Sequence, residues 1–160
     1  MKVQEVMTQH PLCCRATDMA QVVAQILREE DIGSIPVIED GASKRLIGII
    51  TDRDLCCSIV AQGLDPTTTS IEAYVTRNPV TCRPEQSLDS CEKLMQMHQI
   101  RRMLVVDQDL RCIGIVSEAD VARADESDKV HRTVAEISKP SQTIIAPPNA
   151  ASRVVFNHSV

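Results

Sequence analysis

The sequence predicts an α/β (α+β) domain in which two β-α-β-β-α repeats pack sheet to sheet about a pseudo-twofold axis. Three observations predict this fold: the chain repeats itself, each copy alternates β-rich runs with amphipathic helical stretches, and the composition suits one aliphatic core. The 160 residues are 43% apolar but only 1% aromatic. A chain of this length forms one compact domain, or two small units that share a core.

The two copies align residue by residue, apart from two extra residues in a polar turn of the first copy. The aligned pairs include Pro11 with Pro79, Arg45 with Arg111, Gly48 with Gly114 and Asp54 with Asp120. We predict the first repeat at residues 1–62, a linker at 63–70, the second repeat at 71–125 and a C-terminal tail at 126–160. Residues 133–140 of the tail repeat the opening phrase and are expected to dock near the domain.

Each copy opens with a short amphipathic turn that a proline ends, and a brief extended piece follows. The first long helix comes next, with apolar residues at helical spacing. In the first copy, Asp18 and Gln21 form a capping-box pattern, and in the second copy Ser87 is the predicted N-cap.

Two β-rich runs joined by a polar turn follow this helix, and a second helix begins at a Thr or Ser. In the first copy we expect this helix to reach about Gln62 and to end at Gly63. One such unit leaves a face of its small sheet bare. Two copies that pack sheet to sheet would cover both faces.

Charge and composition exclude several classes of function. The net charge is −5 with a pI near 5.3, and with so few aromatic residues this argues against nucleic-acid binding. No apolar run approaches the roughly 18 residues of a membrane span. The N-terminus lacks a signal-peptide pattern, so we expect a cytoplasmic protein.

The cysteines and the missing catalytic motifs suggest a protein that is not an enzyme. An odd count of seven cysteines without a secretory signal favours buried thiols over disulfides. The pairs Cys13–Cys14 and Cys56–Cys57 leave open a thiol-sensor or metal role. No nucleotide-binding loop, metalloprotease motif or nucleophile elbow occurs, and the histidines lack paired metal spacing, so no metal site is predicted.

Thr51-x-x-Asp54 and its copy Ser117-x-x-Asp120 begin the second helix of each repeat. Each fits a capping box, but Asp is shorter than the usual Glu or Gln and should close such a box less well. A carboxylate can also accept both hydroxyls of a ribose, and a hydroxyl at a helix start lies where phosphate binds well. The motif therefore predicts a ligand role beside a capping role.

The phrases "DIGSIPVIED", "LIGIITDRDL", "QIRRMLVVD" and "CIGIVSEADVAR" resemble those of tandem cystathionine-β-synthase-type (CBS) domains, the Bateman module. The resemblance covers residues 1 to about 125 and implies two clefts between the repeats, in a disc-like homodimer of two pairs. It implies no obligatory cofactor but a regulatory adenosyl ligand: AMP, ADP, ATP, NAD or S-adenosylmethionine.

The resemblance also assigns roles to individual residues. It gives ribose contacts to Asp54 and Asp120, and phosphate or ribose contacts to Thr51 and Ser117. The predicted walls of an adenine slot are Ile35 and Pro36 in the first repeat, and Met103 and Leu104 in the second. The predicted phosphate contacts are Arg101 and Arg102, while Arg53 either approaches phosphate or lies on the surface. We expect Gly48 and Gly114 to leave room for a ligand.

The sequence leaves three functions open. The first is a ligand-sensing regulatory protein. The second is a dimerisation or protein-interaction module with vestigial clefts, which Leu104 favours because the family often has proline there. The third is an enzyme or a cysteine-based sensor. Which cleft is filled, and whether Arg101 and Arg102 reach across the pseudo-twofold, also stays open.

Overall fold

The computed structural model describes residues 1–124, which form two four-stranded sheets and four helices. The first repeat contains β1 (Thr8–Gln9), β2 (Cys14–Arg15), α1 (Ala20–Glu29), β3 (Ser34–Ile38), β4 (Leu46–Thr51) and α2 (Asp52–Ser58). The second contains β5 (Thr76–Arg77), β6 (Thr81–Cys82), α3 (Leu88–His98), β7 (Arg102–Val106), β8 (Cys112–Ser117) and α4 (Glu118–Ala124). The mixed α/β class is confirmed. The predicted docking of residues 133–140 lies outside the described residues.

Each sheet takes an outer strand from the other repeat. The first sheet has the order β2-β3-β4-β5, and the second has the order β1-β8-β7-β6. Thr76 pairs with Ile49 on β4, and Thr8 pairs with Ile115 on β8. The turns that open the repeats are single turns of 3-10 helix at Val3–Glu5 and Glu72–Tyr74. The repeats therefore exchange strands as well as pack together.

The pseudo-twofold axis passes between the two hairpin turns, which contact each other. Arg45 forms an antiparallel bridge with Arg111, the residue that matches it in the sequence repeat. The Leu46 amide donates to the Leu110 carbonyl at 2.9 Å, and the Cys112 amide donates to the Lys44 carbonyl at 3.0 Å. Equivalent backbone groups thus hydrogen-bond to each other across the seam.

Each repeat has its own aliphatic core beneath its helices. Ile35 and Val37 belong to the first core, and Met103 and Val105 to the second. Strand exchange also extends to the cores, because Val3 of the first repeat is buried in the second core. Side chains on the opposite face of these strands, including Ile38, Leu104 and Val106, are buried outside both clusters, on the side of the seam.

The predicted cap of α1 is wrong. The Asp18 carboxylate accepts from the Arg15 amide at 2.8 Å instead. The first amides of α1 donate to the linker: Ala20 N–H to the Thr69 carbonyl at 2.9 Å, and Gln21 N–H to the Pro66 carbonyl at 3.0 Å. The linker is therefore the cap of this helix.

Two other helix ends were predicted. The Ser87 cap of α3 is confirmed, since its Oγ accepts from the Ser90 amide at 3.1 Å. Helix α2 is shorter than predicted and ends at Ser58. A 3-10 turn at Val60–Gln62 continues the chain to Gly63, whose φ of 69° is the left-handed conformation expected there.

The two matched glycines make the strand exchange possible. A Cβ on Gly48 would lie 2.2 Å from Val75 Cγ1 and 2.7 Å from the Thr76 carbonyl oxygen. A Cβ on Gly114 would lie 2.5 Å from the sulfur of Met7. Both glycines thus make room for an exchanged strand and not, as expected, for a ligand.

Gly48→Ala should lower the free energy of unfolding by about 1–3 kcal/mol, because the new methyl group meets the backbone of β5. Gly114→Ala is the matched control, and should cost less because its closest clash is with the flexible Met7 side chain. Urea unfolding of both variants tests this. An equal or larger loss in Gly114→Ala would contradict it.

Candidate functional site

A cavity of about 530 Å³ opens between the two repeats, beside the start of α4. It lies where the exchanged strand β1 and the start of β3 face the end of β8. Its lining residues are Thr8, His10, Pro11, Leu12, Glu30, Asp31, Ile32, Gly33, Ser34, Pro36, Arg102, Ile115, Ser117, Ala119, Asp120 and Arg123. Both repeats therefore contribute to one site.

Both Ser/Thr-x-x-Asp motifs close a complete capping box. Asp120 Oδ2 accepts from the Ser117 amide at 2.8 Å and from the Ser117 hydroxyl at 2.6 Å, while the Asp120 amide donates to Ser117 Oγ at 3.2 Å. The corresponding distances for Thr51 and Asp54 are 2.9, 2.8 and 3.1 Å. Asp was expected to close the box less well than Glu or Gln, yet both boxes have all their hydrogen bonds.

Because one carboxylate oxygen makes both cap bonds, the other oxygen is left for different partners. Asp54 Oδ1 forms no hydrogen bond within residues 1–124. Asp120 Oδ1 accepts a hydrogen bond from the Arg123 guanidinium. The Asp120 side chain is only 14% exposed, whereas that of Arg123 is 73% exposed. An exposed cation therefore occupies the oxygen that the cap leaves over.

The two neighbouring arginines of the second repeat have different surroundings. Arg101 is largely exposed and lies on the surface, with its Nε 3.9 Å from Glu118 Oε2. Arg102 pairs in register with Ser117 and lines the cavity. A Cβ on Gly33 would lie 2.8 Å from Arg102 Nη2, so this guanidinium reaches across the seam to the first repeat. Of these two arginines, Arg102 lines the shared cavity and Arg101 does not.

The structure brings four of the predicted ligand residues together at this cavity. They are Pro36, Arg102, Ser117 and Asp120. Thr51, Arg53, Asp54, Arg101 and Leu104 do not line it. Leu104 is buried, and Arg53 is exposed on α2.

Two of the predicted slot residues lie elsewhere. The side chains of Ile35 and Met103 have no exposed surface and belong to the helix-facing cores. Successive side chains on a strand point to opposite faces, so the neighbours of Pro36 and Arg102 must point away from the cavity. The expectation that Ile35 and Met103 side chains wall an adenine slot is therefore wrong.

Sequence reasoning missed Ser34, which lines the cavity from the first repeat. The residue is 4% exposed, and its hydroxyl is the one buried side-chain polar atom without a hydrogen-bond partner among the described residues. Leaving such a group unpaired costs about 1–3 kcal/mol. The available signal was the repeat itself, because Ser34 occupies the position of Arg102.

Within residues 1–124, no group of three or more His, Cys, Asp or Glu side chains is arranged to hold a metal ion. In the same part of the chain, no helix has both the length and the apolar character needed to cross a membrane.

Comparison with known proteins identifies the repeats. The model of the CBS domain matches residues 3–60 and 71–127. Hypoxic response protein 1 of Mycobacterium tuberculosis is 33% identical over 120 residues, which are 75% of this chain and 82% of that protein. A crystal structure of Hypoxic Response Protein I with two coordinated zinc ions superposes with a TM-score of 0.69 at 32% identity, covering 77% of this chain and 98% of that one.

Two further solved structures contain adenosyl ligands. The CBS domain pair of protein MJ0100, in complex with 5-methylthioadenosine and S-adenosyl-L-methionine, has a TM-score of 0.69 and 27% identity, and the match covers 78% of this chain and 98% of that one. CBSX2 in complex with AMP has a TM-score of 0.65 and 26% identity, and the match covers 77% of this chain and 94% of that one. CBSX2 is a CBS-pair protein from Arabidopsis thaliana.

Relatives with enzyme names match over a small part of their own length. The matches cover only 19% and 22% of two such proteins. Their enzyme names therefore do not carry over to this chain.

Ser117→Ala should lower the free energy of unfolding by about 1 kcal/mol, because α4 loses its N-cap acceptor. Ser117→Thr is the matched control, since it copies Thr51 of the first repeat and keeps the hydroxyl. Chemical denaturation of both variants measures the difference. A Ser117→Ala variant as stable as Ser117→Thr would show that the cap contributes nothing.

Proposed function

The chain belongs to the CBS domain family, and we propose that it is a regulatory protein that senses an adenosyl ligand. The ligand binds in the cavity beside Ser117 and Asp120. AMP, ADP, ATP, NAD and S-adenosylmethionine are the candidates. The observation that carries the proposal is this cavity, in which predicted ligand residues of both repeats meet.

The size and chemistry of the cavity suit such a ligand. Its volume of about 530 Å³ falls within the range of about 300–1,000 Å³ that is usual for small-molecule sites. Pro36 and Ile115 offer apolar surface to a base, while Asp120 offers a carboxylate to a ribose. The unpaired Ser34 hydroxyl would gain a partner when a polar ligand binds.

The ribose contact would use the carboxylate oxygen that the cap leaves over. A ribose diol can donate two hydrogen bonds to Asp120 Oδ1 in place of the Arg123 guanidinium. The cap bonds to Oδ2 would stay intact, so the ligand gains an anchor whose position is already fixed. Arg123 would then be released towards solvent or towards a phosphate.

Arg102 is the best candidate for a phosphate contact. Two of the first three amides of α4 already have acceptors, since Glu118 N–H donates to the Arg101 carbonyl at 2.9 Å and Asp120 N–H to Ser117 Oγ. A guanidinium can donate two parallel hydrogen bonds to a phosphate. Arg102 therefore offers the phosphate of a nucleotide more hydrogen-bond donors than the start of α4 does.

Asp120→Asn should weaken ligand binding by about 10- to 100-fold, because an amide nitrogen replaces the oxygen that accepts from the ribose. The remaining amide oxygen can still complete the cap, so the fold is kept. Asp54→Asn is the matched control in the first repeat, and its affinity should stay close to wild type. Isothermal titration with AMP and S-adenosylmethionine measures both.

The Asp120 result can contradict the proposal in two ways. Equal losses of ligand affinity in Asp120→Asn and Asp54→Asn would show that the ligand does not prefer the cavity beside Asp120. No binding or thermal shift of the wild-type protein with any of the five candidates, at millimolar concentration, would favour the interaction module with vestigial clefts.

Arg102→Ala should reduce affinity for AMP and ATP by about 10-fold or more, and should leave adenosine binding nearly unchanged. The difference arises because only the nucleotides carry a phosphate for the guanidinium. Arg101→Ala is the control, since Arg101 pairs with Glu118 on the surface. An equal loss for adenosine would show that Arg102 shapes the cavity instead of binding phosphate.

The family resemblance also implies a homodimer of two pairs and a cytoplasmic location. Both stay predictions.

A further inference from the structure

Two cysteines from different repeats meet at the edge of the ligand cavity. Cys13 lies just before β2 in the first repeat, and Cys112 begins β8 in the second. Their thiols are in side-chain hydrogen-bond contact. Cys13 is partly exposed, whereas Cys112 is buried. One accessible and one enclosed thiol therefore face each other across the seam.

Backbone hydrogen bonds hold the two cysteines in place. The His10 amide donates to the Ile113 carbonyl at 3.0 Å, so the segment that leads to Cys13 runs beside β8. The Cys112 amide is held by the Lys44 carbonyl at 3.0 Å. The Cys13 thiol also lies 3.3 Å from the carbonyl oxygen of Pro11, which lines the cavity.

The surroundings give the two thiols different reactivity. The hydrogen bond from Cys112 lowers the pKa of Cys13, and the positive charge of Lys44 lowers it further, against the effect of burial. The same hydrogen bond, together with burial, raises the pKa of Cys112. A partly exposed cysteine with a lowered pKa, in contact with a buried cysteine with a raised pKa, is the arrangement of an oxidisable cysteine with its resolving partner.

We propose that Cys13 and Cys112 form a redox modification site at which a hydroperoxide produces a disulfide between the two repeats. The Cys13 thiolate attacks one peroxide oxygen, which breaks the O–O bond and gives a sulfenic acid, and the other oxygen leaves as water after protonation. The Cys112 sulfur then attacks the Cys13 sulfur and water leaves. In total, two thiols lose two electrons and two protons, and hydrogen peroxide becomes two waters.

The other cysteines provide internal comparisons. Cys82 and Cys91 are also in side-chain hydrogen-bond contact, but both are buried in the second core, out of reach of peroxide. Cys56 and Cys57 are exposed on α2, but they are neighbours along the chain. Burial raises the pKa of Cys14 to about 12, so it stays a thiol. Cys13 and Cys112 are therefore the pair in which a partly exposed thiol contacts a buried thiol and the two pKa values shift in opposite directions.

The bond would tie the Thr8–Cys13 segment to β8 at the cavity wall. The sulfur atoms have to close to about 2.05 Å, which requires a small movement of this segment. The loop that the bond closes spans most of the described chain, so oxidation should raise the melting temperature by several degrees.

The test treats the whole, reduced protein with hydrogen peroxide and maps its cysteines by non-reducing peptide mass spectrometry. We expect the count of free thiols to fall by two from seven, and one linked peptide pair to contain Cys13 and Cys112. Cys13→Ser should abolish this bond. The Cys56→Ser/Cys57→Ser double variant should form it as the wild type does.

Cys112→Ser provides a second readout. Its Cys13 sulfenic acid should accumulate and react with a 1,3-dicarbonyl probe, whereas the wild type should show little labelling. Far-UV circular dichroism checks that the variants fold. If Cys112→Ser does not fold, the result for Cys13→Ser alone decides whether the proposal holds. Oxidation at Cys56 or Cys57 before Cys13, or loss of Cys13 without a link to Cys112, would overturn the proposal.

Discussion

The exchange of short strands between the repeats is the constraint on which the rest of the structure depends. Each repeat builds three strands of its own sheet, and the other repeat supplies the remaining edge strand. Gly48 and Gly114 permit this because any side chain there would collide with the incoming segment. A repeat in isolation would have an open sheet edge and an incomplete core. The cavity is therefore a product of the pair, since β1 forms one of its walls.

The Ser117–Asp120 pair shows how a structural motif can also serve recognition. A capping box needs one carboxylate oxygen, and Asp supplies it by accepting both the amide and the hydroxyl of the residue before the helix. The second oxygen costs the fold nothing and can face a ligand. The residues around the two copies of the motif differ. Arg102 and Arg123 line the cavity with Asp120, whereas the first repeat has Ser34 and Cys57 at the matching positions. The pair therefore has one cleft with two guanidinium groups near its carboxylate.

Local features of the chain could be read from the sequence, and features made by contacts between distant residues could not. The repeat phasing and the Ser87 cap follow from local patterns. The strands β1 and β5 are two residues long and carry no periodicity. The cap of α1 comes from linker carbonyls far along the chain.

The error at Ile35 and Met103 has a specific cause. All five residues of β3 are buried, because helices cover one face of the strand and the second sheet lies near the other. A strand covered on both faces shows no alternation of apolar and polar residues, so the sequence gives no clue to which side chains face the cleft. The buried hydroxyl of Ser34 marks that face, but its burial becomes visible only in three dimensions.

The linker that caps α1 determines where the chain can vary in length during evolution. An inserted residue between Pro66 and Thr69 would shift the carbonyls that cap the start of this helix, so that segment should keep its length among descendants of this gene. The turn around Gly41 is different, since a side chain at that position would meet no atom within 4 Å. Additions and deletions should accumulate there, and the first copy already carries two extra residues in that turn.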